Sequence, residues 1–328
     1  MKKLLSAGLC LSMFLLAGCQ GQPQDTTLTI TDQAGREVTF EEPCQTAASG
    51  YYITTTIMIG LQQQDKLTGI EMKPETRPIY AKAAEEILDL PQLGNKKMFN
   101  VEECAKSDPD VVFLPVSLES YVEELETLDI PVVLLEPETA DDFEEAVEII
   151  GKVMGCEDKV DEYKQYEEDL LEKYELDEVE EEPTVYFAGS DLLTCATDDM
   201  YQGEILSYAQ ADNAIDAEGS SWVNIDIETL LAANPDYVFI EAGSLSADDF
   251  KNDARVQELQ AVQNDHVYVF PSTLETWDTP SLSSCLGKLW AASILHPELV
   301  SMDDVKAESV AFYEQFYGFT PEAQDLAL

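Results

Sequence analysis

Basic residues are scarce in this chain. Among its 328 residues, 18 are lysine or arginine and 66 are aspartate or glutamate, which gives a formal net charge of −48. Nucleic-acid-binding proteins need a cationic surface against the phosphates, so this composition excludes that class. It also excludes electrostatic adhesion to anionic lipid headgroups. Most of the acidity is expected to lie on solvated surfaces, where it keeps the protein soluble.

Histidines and the usual catalytic motifs are few or missing. The two histidines are His266, just before a predicted strand, and His296, in a His-Pro-Glu turn; both positions are typical of structural residues. The sequence lacks the His-Glu-x-x-His, Gly-x-Ser-x-Gly and Gly-x-x-x-x-Gly-Lys motifs, which mark zinc proteases, serine hydrolases and phosphate loops. Carboxylate pairs occur everywhere in so acidic a chain and indicate no glycosidase. We expect no enzymatic activity, no cofactor and no metal site.

The N-terminus has the pattern of a lipoprotein signal. Two lysines precede an apolar run over residues 4–16, which is too short for a stable membrane-spanning helix. The run ends in Leu16-Ala17-Gly18-Cys19, which resembles the bacterial lipobox. This resemblance implies a signal peptide over residues 1–19, acylation of Cys19 and a flexible tether over residues 20–26. We therefore expect the protein on the outer face of the cytoplasmic membrane, attached by a lipid.

The remaining cysteines form no recognisable framework. The five that follow Cys19 are odd in number, widely spaced and without any Cys-x-x-Cys pair: Cys44, Cys104, Cys156, Cys195 and Cys285. This pattern favours neither a disulfide scaffold nor a zinc site. We expect them to be buried as small apolar side chains, with a single disulfide bridge as the alternative in an exported protein.

A long helical pattern lies near the middle of the chain. Apolar residues recur at steps of three and four over residues 143–154 and again over residues 160–174, with Gly155 between the two series. Neither Gly nor Pro occurs over residues 158–176, so an unbroken helix there would be about 28 Å long. The sequence therefore predicts a stiff connecting helix, which we place at residues 156–182.

Similar units flank this connecting helix. Residues 100–114 and residues 224–240 both show an Asn cap, a short helix with acidic residues at its start, a Pro-Asp turn and a buried strand. Such a repeat predicts two similar lobes, over residues 27–155 and 183–328. The alternative is a chance recurrence of helix–turn–strand units in an α/β protein.

Short apolar runs alternate with helical patterns in both halves. The sequence predicts a hairpin over residues 27–40, a helix at 54–59, a polar loop at 72–80, closing helices at 282–295 and 303–316, and buried strands at 46–49, 67–70, 111–114, 132–135, 184–188, 237–240 and 267–270. Helices between buried strands form βαβ units, which indicate parallel sheets. The predicted fold class is α/β, with two Rossmann-like lobes joined by one long helix.

Several fragments, taken in order, resemble a known family. They include Asp32-Gln-Ala-Gly-Arg-Glu-Val38, the stretch 59–70, Leu90-Pro-Gln-Leu-Gly94, the Asn-Pro-Asp unit at 234–236, Val262-Gln-Asn-Asp-His-Val-Tyr268, Leu286-Gly-Lys-Leu-Trp290 and Phe312-Tyr-Glu-Gln-Phe-Tyr-Gly318. Their order and spacing resemble the class III substrate-binding proteins of ABC importers, which have a helical backbone and serve ferric siderophores, haem and cobalamin. The resemblance implies two α/β lobes bridged by one helix, with a largely preformed ligand cleft between them.

Candidate ligand contacts lie in loops that follow the predicted strands. Tyr51 and Tyr52 follow the first parallel strand and can stack on, or hydrogen-bond to, a large flat ligand; a core position is the alternative. Arg77, one of only three arginines, lies after the second strand, where its guanidinium can hold a carboxylate or catecholate; an ordinary surface arginine is the alternative. In the second lobe, Trp222 and Trp277 are the predicted stacking platforms.

The resemblance also implies a surface that meets the permease. In the family, one glutamate on the outer face of each lobe pairs with permease arginines, and such charges steer docking and fix its register. Glu204, which opens the helix Gly203-Glu-Ile-Leu-Ser-Tyr-Ala209, matches the second-lobe position. The first lobe departs from the pattern, since Thr54-Thr55-Thr56 stands where glutamate is common. Either another acid substitutes there, or docking rests on one lobe's charge.

The predicted function is capture of an iron complex, a ferric siderophore, and its delivery to an ABC permease and its ATPase by a monomeric receptor. Cobalamin, haem or another metal chelate is the alternative within the class. A surface lipoprotein enzyme or an adhesion module is the alternative outside it. Because cationic residues are few, a neutral or hydroxamate complex or a corrinoid fits the composition better than a strongly anionic catecholate, for which one arginine would have to suffice.

Overall fold

The computed structural model of the protein describes residues 27–326 and 328, apart from residues 177, 178, 180, 181, 218 and 220. The predicted signal peptide, the predicted acylation site Cys19 and the tether lie outside the described residues. Within the described ranges, no helix is both long and apolar enough to cross a membrane.

The first lobe is built on a four-stranded sheet. Its elements are β1 (Leu28–Thr31), β2 (Glu37–Phe40), β3 (Ala47–Ser49), α1 (Tyr52–Gly60), β4 (Leu67–Gly69), α2 (Pro78–Ala83), β5 (Gly94–Asn95), β6 (Met98–Phe99), α3 (Val101–Ser107), β7 (Val111–Pro115), α4 (Val122–Glu126), β8 (Val132–Leu135) and α5 (Ala140–Met154). The sheet order is β4-β3-β7-β8, and all neighbouring strands run parallel. Every residue of β7 and β8 is buried, as expected for strands that helices cover on both faces.

The second lobe is built on a mixed sheet. The connecting helix α6 (Glu157–Lys173) leads to β9 (Thr184–Ala188), β10 (Thr194–Cys195), α7 (Tyr201–Tyr208), β11 (Asp212–Asn213), β12 (Val223–Asn224), α8 (Ile227–Ala233), β13 (Tyr237–Ile240), α9 (Ala247–Asn252), α10 (Gln260–Gln263), β14 (Val267–Val269), α11 (Ser284–Leu295), α12 (Met302–Phe316) and α13 (Ala323–Leu326). The sheet order is β12-β10-β9-β13-β14, with β11 against β9. β9, β13 and β14 run parallel, whereas β10 and β12 are antiparallel additions. The α/β fold with two lobes is therefore confirmed.

The connecting helix is shorter than the sequence pattern predicts. The predicted range is 156–182, whereas α6 ends at Lys173. No Gly or Pro stops the helix, and tertiary contacts account for its end. In the turn that follows, the hydroxyl group of Tyr208 donates a hydrogen bond to the carbonyl of Tyr174 at 3.0 Å. The hydroxyl of Tyr174 donates in turn to the carboxylate of Glu308 at 3.0 Å.

Most other elements appear where the sequence predicts them, with two kinds of exception. The predicted polar loop over residues 72–80 contains the start of α2, because Pro78 at the first helical position presets the backbone φ for a helix. The strands β5, β6, β10, β11 and β12 are two residues long, and so short a run carries no period-2 pattern. The five cysteines that follow Cys19 are all buried and free.

The two lobes are held together at places far apart in the sequence. The connecting helix packs on the second lobe, where Tyr163 and Tyr166 meet Phe316 of α12 edge-on. At the end of the chain, Asp325 of α13 returns to the first lobe and forms an ion pair with Lys82, with 2.9 Å between Nζ and Oδ2. The connecting helix and this ion pair are two links between the lobes, and together they restrict the relative motion of the lobes.

Candidate ligand cleft

Two chambers lie where the lobes face each other, and both are bordered by Tyr52 and Arg77. The first-lobe chamber has a volume of about 400 Å³ and is lined by Gly50, Tyr51, Tyr52, Glu71, Met72, Arg77, Asn95, Lys96 and Lys97. The interlobe chamber has a volume of about 150 Å³ and is lined by first-lobe residues between 52 and 79 and second-lobe residues between 272 and 281. Since both chambers share the same two side chains, we treat them as one cleft.

The tyrosines reach the cleft because the chain turns sharply after β3. Gly50 allows this turn: a Cβ atom there would lie 2.6 Å from the side chain of Leu114 and 3.0 Å from that of Phe99. The rings of Tyr51 and Tyr52 then meet edge to face, with 5.4 Å between centroids. Tyr51 is only 1% exposed, and burial raises the pKa of both phenols. Both hydroxyls therefore remain protonated at neutral pH.

Arg77 contacts both the ring of Tyr52 and the carboxylate of Glu71. Its Cζ atom is 4.0 Å from the Tyr52 ring centroid, a cation–π distance. Its Nε atom is 3.3 Å from Oε1 of Glu71, a nearly buried carboxylate. The Arg77 side chain is itself 35% exposed, and among the described residues no hydrogen bond or ion pair of its two Nη atoms is present. The guanidinium therefore has donors available to the cleft.

Glu71 is itself fixed by two buried hydroxyl groups. Tyr80 of α2 donates to Oε1 at 2.7 Å, and Thr55 of α1 donates to Oε2 at 2.7 Å. Burial, followed by the neighbouring carboxylate of Glu71, raises the pKa of Tyr80 well above its ordinary value, so this phenol remains a donor. Each carboxylate oxygen therefore has a partner, as a buried charge requires.

Two lysines complete the first-lobe wall. Lys96 and Lys97 form the turn of the hairpin between β5 and β6. The Nζ atom of Lys96 is 4.8 Å from the ring centroid of Tyr51 and 3.4 Å from Oε1 of Glu138. The sequence-based site predictions omit both lysines. The available signal was that they are the only adjacent basic residues after residues 2 and 3 in a chain poor in cations.

Two acids in the second-lobe loop that follows β14 have buried carboxyl groups, and one of them, Glu275, lines the interlobe chamber. Oε1 of Glu275 accepts a hydrogen bond from the Tyr317 hydroxyl at 3.2 Å, and Oδ2 of Asp278 accepts one from the N–H of Ala242 at 2.8 Å. The other carboxyl oxygen of each has no partner among the described residues. Burial raises the pKa of each carboxyl to about 7. Both carboxyl groups therefore retain their protons to a much higher pH than exposed carboxyl groups do.

The predicted tryptophan platforms do not line the two chambers. Trp277 is only 2% exposed, and its Nε1 atom donates to the hydroxyl of Tyr313 at 3.1 Å. It is a core residue, so the expectation of an exposed ring in this loop is wrong. Trp222 is half-buried and lies over Gly189, where a Cβ atom would come within 2.6 Å of the indole. Its predicted contact with a ligand remains a prediction.

Glu204, the predicted docking residue, lies in a groove beside the connecting helix. Its Oε2 atom is 3.7 Å from Nζ of Lys288, which is also 3.7 Å from Oε1 of Glu167 on α6. Partial burial, which outweighs the attraction of Lys288, raises the pKa of Glu204. Its side chain remains 45% exposed, so docking through Glu204 stays a prediction. The Thr54-Thr55-Thr56 segment is buried in α1 and offers the first lobe no docking surface.

Two α/β lobes joined by one connecting helix, with a cleft between them, define a substrate-binding protein of an ABC importer. The chain belongs to the family described as "Periplasmic binding protein", whose model matches residues 48–274. The family and the fold place it among the class III proteins. These are extracytoplasmic solute-binding proteins and not enzymes, as the sequence predicts.

Solved structures with this fold resemble the chain over most of its length. A periplasmic solute-binding protein from Veillonella parvula has a TM-score of 0.79 and 21% identity, over 91% of this chain and 95% of its own. The Haemophilus influenzae protein MolA, bound to molybdate, has a TM-score of 0.76 and 22% identity, over 90% and 99%. The Helicobacter pylori protein CeuE, in a nickel–histidine complex, has a TM-score of 0.71 and 19% identity, over 91% and 97%. No protein in the curated set matches the sequence significantly.

Proposed function

We propose that the cleft binds an anionic metal complex, a ferric siderophore in the first place, and delivers it to the membrane permease. The observation that carries this proposal is the gathering of Arg77, Lys96 and Lys97 with two tyrosine rings around the first-lobe chamber. The composition of the whole chain favours neutral ligands, because cations are few. The local arrangement favours anions, because three of those few cations line one chamber of about 400 Å³.

The chemistry of these side chains suits oxygen-rich anions. A guanidinium with two available Nη groups binds a carboxylate, catecholate or oxyanion through paired hydrogen bonds. The lysines add positive charge at the rim, where they steer an anion towards the opening. The rings of Tyr51 and Tyr52 add apolar surface to the chamber wall, against which an apolar part of the ligand can pack. Walls of low polarity strengthen each of these contacts relative to water.

The related structures are compatible with a range of metal-containing cargo. MolA is bound to molybdate and CeuE to a nickel–histidine complex, so this fold accepts both an oxyanion and a metal chelate. Haem is less well supported, since neither histidine of the chain lines the two chambers and histidine is a common axial ligand of haem iron. Nε2 of His296 is instead bonded to the carbonyl of Ala209 at 2.9 Å, and His266 stacks on Tyr237.

The cellular arrangement belongs to the same proposal. The lipobox-like sequence at Cys19 would attach the protein to the outer face of the cytoplasmic membrane through a lipid. A tethered receptor stays close to its permease, which raises the effective concentration of the receptor at the permease. We propose that the permease and its ATPase receive the ligand from a monomeric receptor of this kind.

A binding screen tests the ligand class. The purified protein is titrated by calorimetry and thermal shift with an anionic ferric tris-catecholate, neutral ferrichrome, haemin, cyanocobalamin, molybdate and nickel–histidine. We expect the ferric tris-catecholate to bind most tightly, and to raise the free energy of unfolding by about 2.7 kcal/mol at a hundredfold excess over its Kd. Preferred binding of cyanocobalamin or haemin, or no binding of any ferric complex, would overturn the proposal.

A further inference from the structure

We infer that Glu71 is a positioning residue for ligand binding: it holds Arg77 so that the two Nη groups of the guanidinium point into the cleft. This inference rests on the proposed function, because it assigns to Glu71 a role in the same site. The carboxylate is nearly buried and pairs with the Nε atom of the guanidinium at 3.3 Å. Glu71 therefore acts on the ligand through Arg77.

The carboxylate is itself fixed by three elements of the first lobe. It follows β4, and it accepts hydrogen bonds from Thr55 of α1 and Tyr80 of α2, each at 2.7 Å. The hydroxyls of Thr55 and Ser49 lie 2.8 Å apart, which extends the network to the end of β3. Donors on separate elements leave the carboxylate little freedom to move. A group held by packing and buried hydrogen bonds can impose its own position on a flexible partner.

Arg77 needs such a constraint because its side chain is long and partly exposed. A free arginine side chain carries about 2 kcal/mol of rotamer entropy, which binding would have to overcome. The Tyr52 ring, with its centroid 4.0 Å from Cζ, restricts the position of the guanidinium. The Glu71 carboxylate holds the Nε atom. With the guanidinium restrained by both contacts, less entropy is lost when a ligand binds the two Nη groups.

Glu71 could act by orienting Arg77 or only as a nearby negative charge. These two roles predict opposite effects on anion binding when the carboxylate is removed. If Glu71 acted only as a nearby negative charge, Glu71→Gln would make the cleft more positive, and anions would bind more tightly. If it orients Arg77, the same substitution weakens anion binding although the site gains positive charge. The direction of the change therefore separates the two roles.

A ligand-free experiment tests the orientation directly. The sequence contains three arginines, Arg36, Arg77 and Arg255, so the Nε–Hε region of a ¹⁵N spectrum contains three signals. The signal of Arg77 is assigned as the one that disappears in Arg77→Lys. We expect Glu71→Gln to lower the heteronuclear NOE of the Arg77 Nε–Hε signal or to broaden it, with the other two signals unchanged. The matched control is Glu75→Gln, which removes an exposed charge in the same loop. An unchanged Arg77 signal in Glu71→Gln would overturn the inference.

A binding experiment tests the consequence, with ferric tris-catecholate as the anionic probe and neutral ferrichrome as the reference. We expect Glu71→Gln to weaken binding of the anion by about tenfold, a part of the strength of a charge-assisted hydrogen-bond pair. Binding of ferrichrome should change less than twofold. In an Arg77→Gln background, Glu71→Gln should have no further effect on the anion.

The other possible results of the binding experiment are also decisive. Tighter binding of the anion would assign Glu71 a purely electrostatic role, and equal losses for both probes would assign it a general structural one; either overturns the inference. If neither probe binds the unaltered protein, the proposed ligand class fails, and the Nε–Hε spectrum still decides whether Glu71 orients Arg77.

Discussion

Arg77 of the first lobe and Glu275 of the second lobe line the same chamber of about 150 Å³. The positive charge of Arg77 partly offsets the effect of burial, which raises the pKa of Glu275 to about 7. The two lobes therefore present opposite charges to each other across the cleft. A ligand that enters must satisfy a permanent cation on one wall and a titrating acid on the other.

Replacement of Arg77 should weaken ligand binding far more than it weakens the fold. We expect Arg77→Gln to reduce the affinity for ferric tris-catecholate by about tenfold or more, because the bidentate donor is lost. Glu71 keeps its two hydroxyl donors, and the ion pair is partly exposed, so the melting temperature should fall by only a few degrees. Calorimetry and thermal unfolding measure the two effects. Arg255→Gln is the control, since Arg255 is exposed and pairs with Asp253; equal binding losses in both variants would contradict the prediction.

Lys97 should contribute through long-range attraction. It lines the first-lobe chamber and forms no ion pair within the described part of the chain. We expect Lys97→Gln to lower the association rate of the anionic complex about threefold at low salt, and to have little effect near 0.5 M salt, where such charges are screened. Stopped-flow fluorescence measures the rates. Lys106→Gln removes a surface charge that pairs with Glu102; a rate loss of the same size there would show that Lys97 has no special role.

Stability should depend on pH through the buried carboxyl groups of Glu275 and Asp278 in the second lobe. Their pKa values are raised to about 7 from ordinary values of 4.5 for Glu275 and 3.8 for Asp278. The folded state therefore holds protons that the unfolded state releases between about pH 4 and pH 7. A raised pKa of this kind gives stability that is fully present below the unfolded-state pKa and is lost as the pH rises through about 7. The loss is about 1.4 kcal/mol per pH unit for each group inside that window.

The variants Glu275→Gln and Asp278→Asn isolate this contribution from the general repulsion of an acidic chain. In Asp278→Asn, the side-chain amide oxygen can still accept from the N–H of Ala242, which keeps that contact. We expect the stability difference between each variant and the parent protein to grow in favour of the variant as the pH rises from 5 to 8. Urea unfolding at several pH values measures the difference, and a difference independent of pH would refute the assignment.

Glu204 provides the test of docking. If it pairs with a permease arginine, Glu204→Gln should reduce ligand-stimulated ATPase activity of the reconstituted importer, while the affinity for the ligand in solution stays the same. Glutamine is preferred to lysine at this position because a second cation 3.7 Å from Lys288 would disturb the groove itself. Glu168→Gln, in the same groove, is the control. Normal stimulation in Glu204→Gln would remove Glu204 from the docking surface.

The sequence predicts the parts of the fold that are dominated by burial. The strands at residues 132–135, 184–188 and 237–240 have the predicted bounds, because continuous apolar runs are favourable only inside a covered sheet. The end of the connecting helix is different. It depends on where Tyr174 meets Tyr208 and Glu308, residues far along the chain, and no local pattern contains that information.

The candidate site, like the fold, is only partly predictable from the sequence. Arg77, Tyr51 and Tyr52 were found from loop position and rarity, and the structure brings all three to one chamber. Trp277 follows a strand in the same way, yet a bond to Tyr313 of α12 draws its indole into the core. Lys96 and Lys97 were missed because their hairpin has strands of two residues. A loop position therefore identifies candidates, and tertiary packing decides which of them line the chamber.

The ion pair between Asp325 and Lys82 links the lobes at a second place besides the connecting helix, and this has a consequence for how a permease distinguishes a loaded receptor from an empty one. Two lobes linked in both places are not expected to signal occupancy by a wide opening and closing motion. If the proposed function holds, occupancy would instead change the surface around the cleft, through the charge and conformation of side chains such as Lys96 and Lys97 once a ligand covers them. The importer would then recognise a single surface formed by the ligand and the receptor together.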